Sequence, residues 1–260
     1  MRAWRCWLAL LLLPWLGVGM AQDRLLSLSA VRSGLEFAGR DVQAMQADAL
    51  ANPAQLWLAQ GRTLWDAPAG AAQRACSSCH GEVARMKGVS TRFPRLQAAT
   101  GRLINLEDQI RHCAAERQRA NAPAFESGEL LALTALVTQA SDGMPLRSDP
   151  DAALLPHRLA GAALYQRRQG QLNLACTHCH DRHWGQRFFT DRLSQGQAND
   201  YPLYRLEWQT LGSLERRLRS CYVGVRAEPP PFGDLVLRQL SLYLNWRAEG
   251  LAIEMPAIRK

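Results

Sequence analysis

Cys76-Ser77-Ser78-Cys79-His80 and Cys176-Thr177-His178-Cys179-His180 are two copies of one pattern, C-x-x-C-H, one hundred residues apart. Two thiols three residues apart on one helical turn reach the two vinyl groups of a single porphyrin. Thioether bonds form there, and the adjacent imidazole lies under the iron as proximal ligand. The pattern is the c-type haem attachment signature, and two copies predict two covalently bound haem c groups. A thioredoxin-like pair, or a zinc site built from the four thiolates, leaves both trailing histidines without a role.

The surroundings of the two motifs also match. Ala75 and Ala175 precede them, and Gly61 and Gly161 stand fifteen residues before Cys76 and Cys176. A short helical pattern runs from Leu56 to Trp65 in one case and from Leu159 to Tyr165 in the other. Downstream, Gly128-Glu129-Leu130-Leu131 resembles Gly233-Asp234-Leu235-Val236. Each opens an expected amphipathic helix, with an acidic residue placed to suit the helix dipole. A Met-Pro pair follows each helix, at Met144-Pro145 and Met255-Pro256. The chain therefore reads as an internal duplication. One unit covers residues 51–149 and a second residues 150–260, with the break at the polar stretch Ser148-Asp149-Pro150-Asp151. Residues 22–50 read as a helical N-terminal extension. Strand signals are few, so the expected fold class is mainly α.

The chain has 260 residues, 47% of them hydrophobic, which permits a packed core. Its 31 Lys+Arg against 23 Asp+Glu give a net charge of +8, which favours an anionic partner. No Gly-rich phosphate loop or Ser-His-Asp set stands out, and nothing beyond charge points to nucleic acid. At the N-terminus, Arg2 and Arg5 precede the apolar run Trp7 to Val18, and Gly19-Met20-Ala21 is a small-x-small cleavage site. This reads as a secretory signal peptide over residues 1–21. Its removal leaves 239 residues, six cysteines and a charge of +6. The mature chain is expected in the periplasm, without a membrane span.

The second axial ligand of each iron decides what the haems do. Met144 and Met255 would suit an electron carrier. Against them stand Cys113 and Cys221, the two cysteines outside the motifs, one in each half. They could form a disulfide between the halves, or supply two iron-bound thiolates, which lower the reduction potential. His112, next to Cys113, is a further candidate for the first haem. In Leu214-Glu215-Arg216-Arg217-Leu218-Arg219-Ser220-Cys221, Arg217 and Cys221 are four apart and share one helical face. A guanidinium there stabilises a thiolate and holds a small oxyanion by paired hydrogen bonds.

At these residues the sequence resembles the SoxA family, the dihaem subunits of the SoxAX cytochromes (L-cysteine S-thiosulfotransferases). The resemblance rests on both haem motifs, the later Cys in each half, Arg217-x-x-x-Cys221 and Val225-Arg226-Ala227-Glu228-Pro229. Leu242 to Arg247, Leu251 to Arg259 and the stretch Glu129 to Pro145 add to it. It implies two tandem class I cytochrome c-like domains. Cys76 and Cys79 would attach the first haem, with His80 and Cys113 axial. Cys176 and Cys179 would attach the second, with His180 and Cys221 axial. Cys221 would be the catalytic sulfur, carried as a persulfide in the family, and Arg217 would bind thiosulfate. The implied reaction joins thiosulfate to a cysteine of a SoxYZ-type carrier protein. Two electrons then leave through haem to a monohaem SoxX-type partner and a soluble cytochrome c acceptor. The alternatives are a dihaem electron carrier without chemistry of its own and a dihaem peroxidase; both need ligands other than these thiolates.

Overall fold

The computed structural model describes residues 30–260. The signal peptide expected at 1–21, and residues 22–29 of the expected N-terminal extension, lie outside that range. Nine α-helices occur among the described residues: α1 Arg40–Ala47, α2 Ala54–Asp66, α3 Cys76–His80, α4 Leu106–Cys113, α5 Gly128–Gln139, α6 Leu155–Gln166, α7 Cys176–His180, α8 Leu214–Gly224 and α9 Leu235–Arg247. Seven short strands accompany them. Arg95–Leu96 (β1) pairs with Leu103–Ile104 (β2), and Arg187–Phe188 (β3) with Asp191–Arg192 (β4), both antiparallel. Leu203–Arg205 (β5) lies between Thr210–Gly212 (β6, antiparallel) and Ile258–Arg259 (β7, parallel). The fold is mainly α, as the pattern predicts.

The two halves repeat the same local devices. In each, a helix crosses the closing helix at a glycine: α2 meets α5 and α6 meets α9. A Cβ on Gly61 would come within 2.5 Å of the Ala132 carbonyl oxygen, and one on Gly161 within 2.1 Å of that of Gln239. Glycine at these positions lets the backbones approach to contact. Trp65 donates from Nε1 to Gly81 O at 2.9 Å, and Tyr165 donates from its hydroxyl to Asp181 Oδ1 at 3.0 Å. Each aromatic thereby ties its helix to the end of the haem motif.

The closing helices depart from expectation. They are not amphipathic in the ordinary sense, because eight residues of α5 and nine of α9 are buried. Each is wrapped by its partner helix on one side and by the other half of the chain on another, so no wide polar face survives. Asp234 is not in the first turn of α9; it caps the helix, accepting from Val236 N at 2.8 Å.

One core runs through both halves. Val42 of α1, Leu58 of α2 and Leu131 of α5 pack with Tyr204 of β5, Leu211 of β6, and Ile253, Met255 and Ile258 of the C-terminal tail. The tail is also hydrogen-bonded to the extension, through Gln46 Oε1 to Ile258 N at 3.0 Å and to Arg259 Nη1 at 2.7 Å. A cavity of about 90 Å³ lies between the halves, with Asn105, Glu107, Tyr201, Glu215 and Ser241 in its wall. Among the described residues no helix is long and apolar enough to cross a membrane.

Candidate active site and haem centres

Each C-x-x-C-H is a one-turn helix, α3 or α7, entered from extended backbone at Ala75 or Ala175. All six described cysteines are free thiols, so Cys113 and Cys221 are not joined to each other. Nor do the four motif thiols gather into a zinc site: among the described residues no group of three or more His, Cys, Asp or Glu side chains could hold a metal ion.

Cys113 and Cys221 occupy equivalent places in two equivalent helices. Asn105 caps α4, accepting from Asp108 N at 2.9 Å, and Ser213 caps α8, accepting from Arg216 N at 3.1 Å. Each thiol falls eight residues after its cap. Both helices then dock on the loop that leads into their haem motif. Ala71 N and Ala72 N donate to Arg119 O and Gln118 O; Gln171 N and Leu172 N donate to Arg226 O and Val225 O. Gly70 and Gly170, both at positive φ, let these carbonyls come close; a Cβ would lie 2.2 and 2.0 Å from Gln118 O and Val225 O. Gln118 is five residues past Cys113, whereas Val225 is four past Cys221. The π-helical turn Ala114–Gln118 absorbs the extra residue.

The two thiols have different neighbours. Cys113 is partly buried near Cys76 and receives the Gln109 amide Nε2 at 3.5 Å. At the position of Gln109 the second half has Arg217. Burial raises the Cys221 thiol, but the Arg217 guanidinium opposes it, followed by the hydrogen bond and charge of His180 and the charge of Arg205. The balance brings Cys221 down to about 7. Cys221 in turn raises Arg217, whose charged form it favours. Burial, then the charge of Cys221, pushes the Cys176 thiol up to about 12.

This surrounding fits a haem. His180 Nδ1 is held by Ser194 O at 2.8 Å, which fixes the ring and leaves Nε2 as its second nitrogen. Gly196 lies against that ring, and a Cβ there would reach within 2.9 Å of it. His180 and Cys221 face each other, an imidazole and a thiolate-prone sulfur beside the thiols of Cys176 and Cys179. In the first half the His80 ring lies 5.8 Å from Trp65, and Cys76, Cys79 and Cys113 are neighbours.

His112 is exposed and lines a separate cavity with Arg111, Phe125 and Phe232. Met255 is 5% exposed in the shared core, and Met144 abuts Gly88. Met86 packs in the cluster that includes Cys76.

Comparison with known proteins places the sequence and the fold. The sequence model of the SoxA/TsdA cytochrome c domain matches residues 60–146. The chain is 37% identical over 230 residues to the L-cysteine S-thiosulfotransferase subunit SoxA of Pseudaminobacter salicylatoxidans, covering 88% of this chain and 80% of that protein. This chain belongs to the SoxA family. The SoxA subunit of Rhodovulum sulfidophilum is 32% identical, with 88% and 80% of the two chains covered. The crystal structure of SoxXA from P. pantotrophus superposes with a TM-score of 0.85 at 30% identity, covering 88% of this chain and 87% of that one. The fold is thus cytochrome c-like, and membership of the SoxA family carries covalently bound haem c with it.

Some residues at the site are invisible to motif reading. Arg205, from β5, lines a cavity of about 310 Å³ together with Arg217, Arg259 and the β3–β4 hairpin. Gly196 and Gln109 are also new. Only Gln109 left a sequence signal, its place four residues before a cysteine.

Proposed function

We propose that this chain conjugates thiosulfate oxidatively to a cysteine of a SoxYZ-type carrier protein, as an exported subunit bound to a monohaem SoxX-type partner. The observation that carries this reading is the face shared by Arg217 and Cys221 on α8, opposite His180. Residues 51–149 would form one haem unit and residues 150–260 the other, with the active site in the second. Cys76, Cys79, His80 and Cys113 would hold one haem c, and Cys176, Cys179, His180 and Cys221 the other.

Arg217 brings the thiosulfate dianion to Cys221 and lowers the cost of placing negative charge beside a thiolate. A carrier thiol and thiosulfate give a cysteine S-thiosulfonate, one proton and two electrons; a sulfur–sulfur bond forms and an S–H bond is lost. Bound haem supplies one-electron acceptors for that pair. The chain's own residues position the sulfur and hold the anion. The helix cap at Ser213 and the docking of Val225 on Gly170 fix α8, so Cys221 stays aligned with His180.

The test uses the haem-loaded complex with its monohaem partner. Thiosulfate-dependent reduction of a soluble cytochrome c, in the presence of carrier protein, should appear and should be lost in Cys221→Ala. Low-temperature EPR of the oxidised complex should show low-spin ferric signals of thiolate ligation, one set changed in that variant. His/Met signals unchanged in both Cys113→Ala and Cys221→Ala would leave a dihaem electron carrier.

A further inference from the structure

The cavity lined by Arg217 carries several further cations that are not equally free. Arg259 is bound to Asp200 and Glu254, both at 2.7 Å. Lys260 lies 3.7 Å from Asp191, and Arg192 donates to Gly185 O at 3.0 Å. Arg205 is different. It is 8% exposed and lines the same cavity as Arg217, and its buried Nε, like that of Arg259, has no hydrogen-bond partner. Its ion pair, unlike those of Arg259, is with a largely exposed side chain, Glu207 at 3.0 Å and 65% exposed, where water screens much of the charge.

The guanidinium is also built into place. Trp208 lies between two arginines, with Arg205 at 5.2 Å and Arg216 at 4.2 Å from its ring. Gly212 makes room for that ring, since a Cβ there would meet it at 2.2 Å. The stacked indole restricts Arg205 and leaves the polar edge of the guanidinium available. A buried donor without a partner is costly, so this guanidinium is suited to an acceptor bound in use.

We propose that Arg205 is a second anion-binding residue, taking a sulfonate oxygen of thiosulfate while Arg217 holds the same dianion beside Cys221. This rests on the thiosulfate reading above. A single guanidinium cannot offset both a thiolate and a dianion, and Arg205 supplies the second positive charge.

The experiment compares wild type, Arg205→Lys and Arg205→Gln in the haem-loaded complex. Arg205→Gln should raise KM for thiosulfate about tenfold or more with kcat within about threefold, in line with the loss of one charged hydrogen bond. Arg205→Lys should recover part of that loss. Calorimetric titration with inorganic sulfate, a non-reacting dianion, should show binding to wild type that is weakened to the same degree in Arg205→Gln. Unchanged KM and unchanged sulfate binding would overturn the proposal. So would an unchanged KM with a shifted haem spectrum, which assigns Arg205 to the haem instead. If wild type shows no thiosulfate turnover, the function reading fails by itself. Sulfate titration then still decides whether Arg205 holds an anion, and equal binding in wild type and Arg205→Gln rejects it.

Discussion

Glu107→Gln should stabilise the protein at pH 8 and leave it unchanged at pH 5. Glu107 is partly buried on α4 and lines the cavity between the halves. Burial first, then the charges of Glu215, Asp108 and Glu126, raise it from 4.5 to about 8, against a backbone hydrogen bond that lowers it. The nearby cation, Arg238, is committed to Asp108 through two bonds of 2.6 Å. The folded state therefore keeps a proton that the unfolded chain loses near 4.5. Between those values the folded state binds more protons, so stability falls as pH rises from about 4.5 to about 8. At about 1.4 kcal/mol per tenfold change, the full displacement is worth up to about 5 kcal/mol. Partial contact with water reduces that to roughly 2 kcal/mol at pH 8. For a chain of this size about 2 kcal/mol moves Tm by roughly 4–8 °C. The amide keeps the neutral, hydrogen-bonding form at every pH. Scanning calorimetry of the haem-loaded chain at pH 5, 6.5 and 8 should show a gain that grows with pH. An equal change at all three, or a loss at pH 8, would refute the reasoning.

Three further outcomes are expected. Gly161→Ala should cost about 3 kcal/mol in urea unfolding, because its Cβ meets the Gln239 backbone, and Gly61→Ala somewhat less, in line with the looser contact at Ala132. Arg217→Gln, which copies the first-half arrangement of Gln109 beside Cys113, should reduce thiosulfate-dependent turnover about a hundredfold or more while haem attachment stays intact. Adding Gln109→Arg to that variant should not restore it, as the arginine-lined cavity lies between the N-terminal extension and the second half. Pyridine haemochrome absorbance should give two haems per chain, falling to one when Cys176 and Cys179 are both replaced by Ala; one haem in the wild type would reject the paired assignment.

The duplication was legible because its signals are local. Thiol spacing, glycines at helix crossings and Met-Pro pairs recur at nearly fixed intervals. The equivalence of Cys113 and Cys221 was harder to see. One lies 37 residues past the first cysteine of its motif and the other 45, because the second half carries β3 to β6 in between. Only the caps at Asn105 and Ser213 show that the two helices start alike. The patterns of α5 and α9 read as one-sided, yet the other half covers their remaining faces, and burial from a distant segment leaves no periodic trace. Arg205 and Glu107 belong to the same class. Each gains its character from residues far away in the chain, so composition and spacing are silent about both.

The tail strand β7 makes the cavity depend on a contact between distant parts of the chain. Ile258 and Arg259 sit beside β5 and are pinned by Gln46, and Arg259 and Lys260 form part of the wall of the cavity next to Arg217. The wall of that cavity thus joins two segments 212 residues apart in the chain. Losing the β7 pairing would open that wall beside Arg217 while leaving both C-x-x-C-H turns in place.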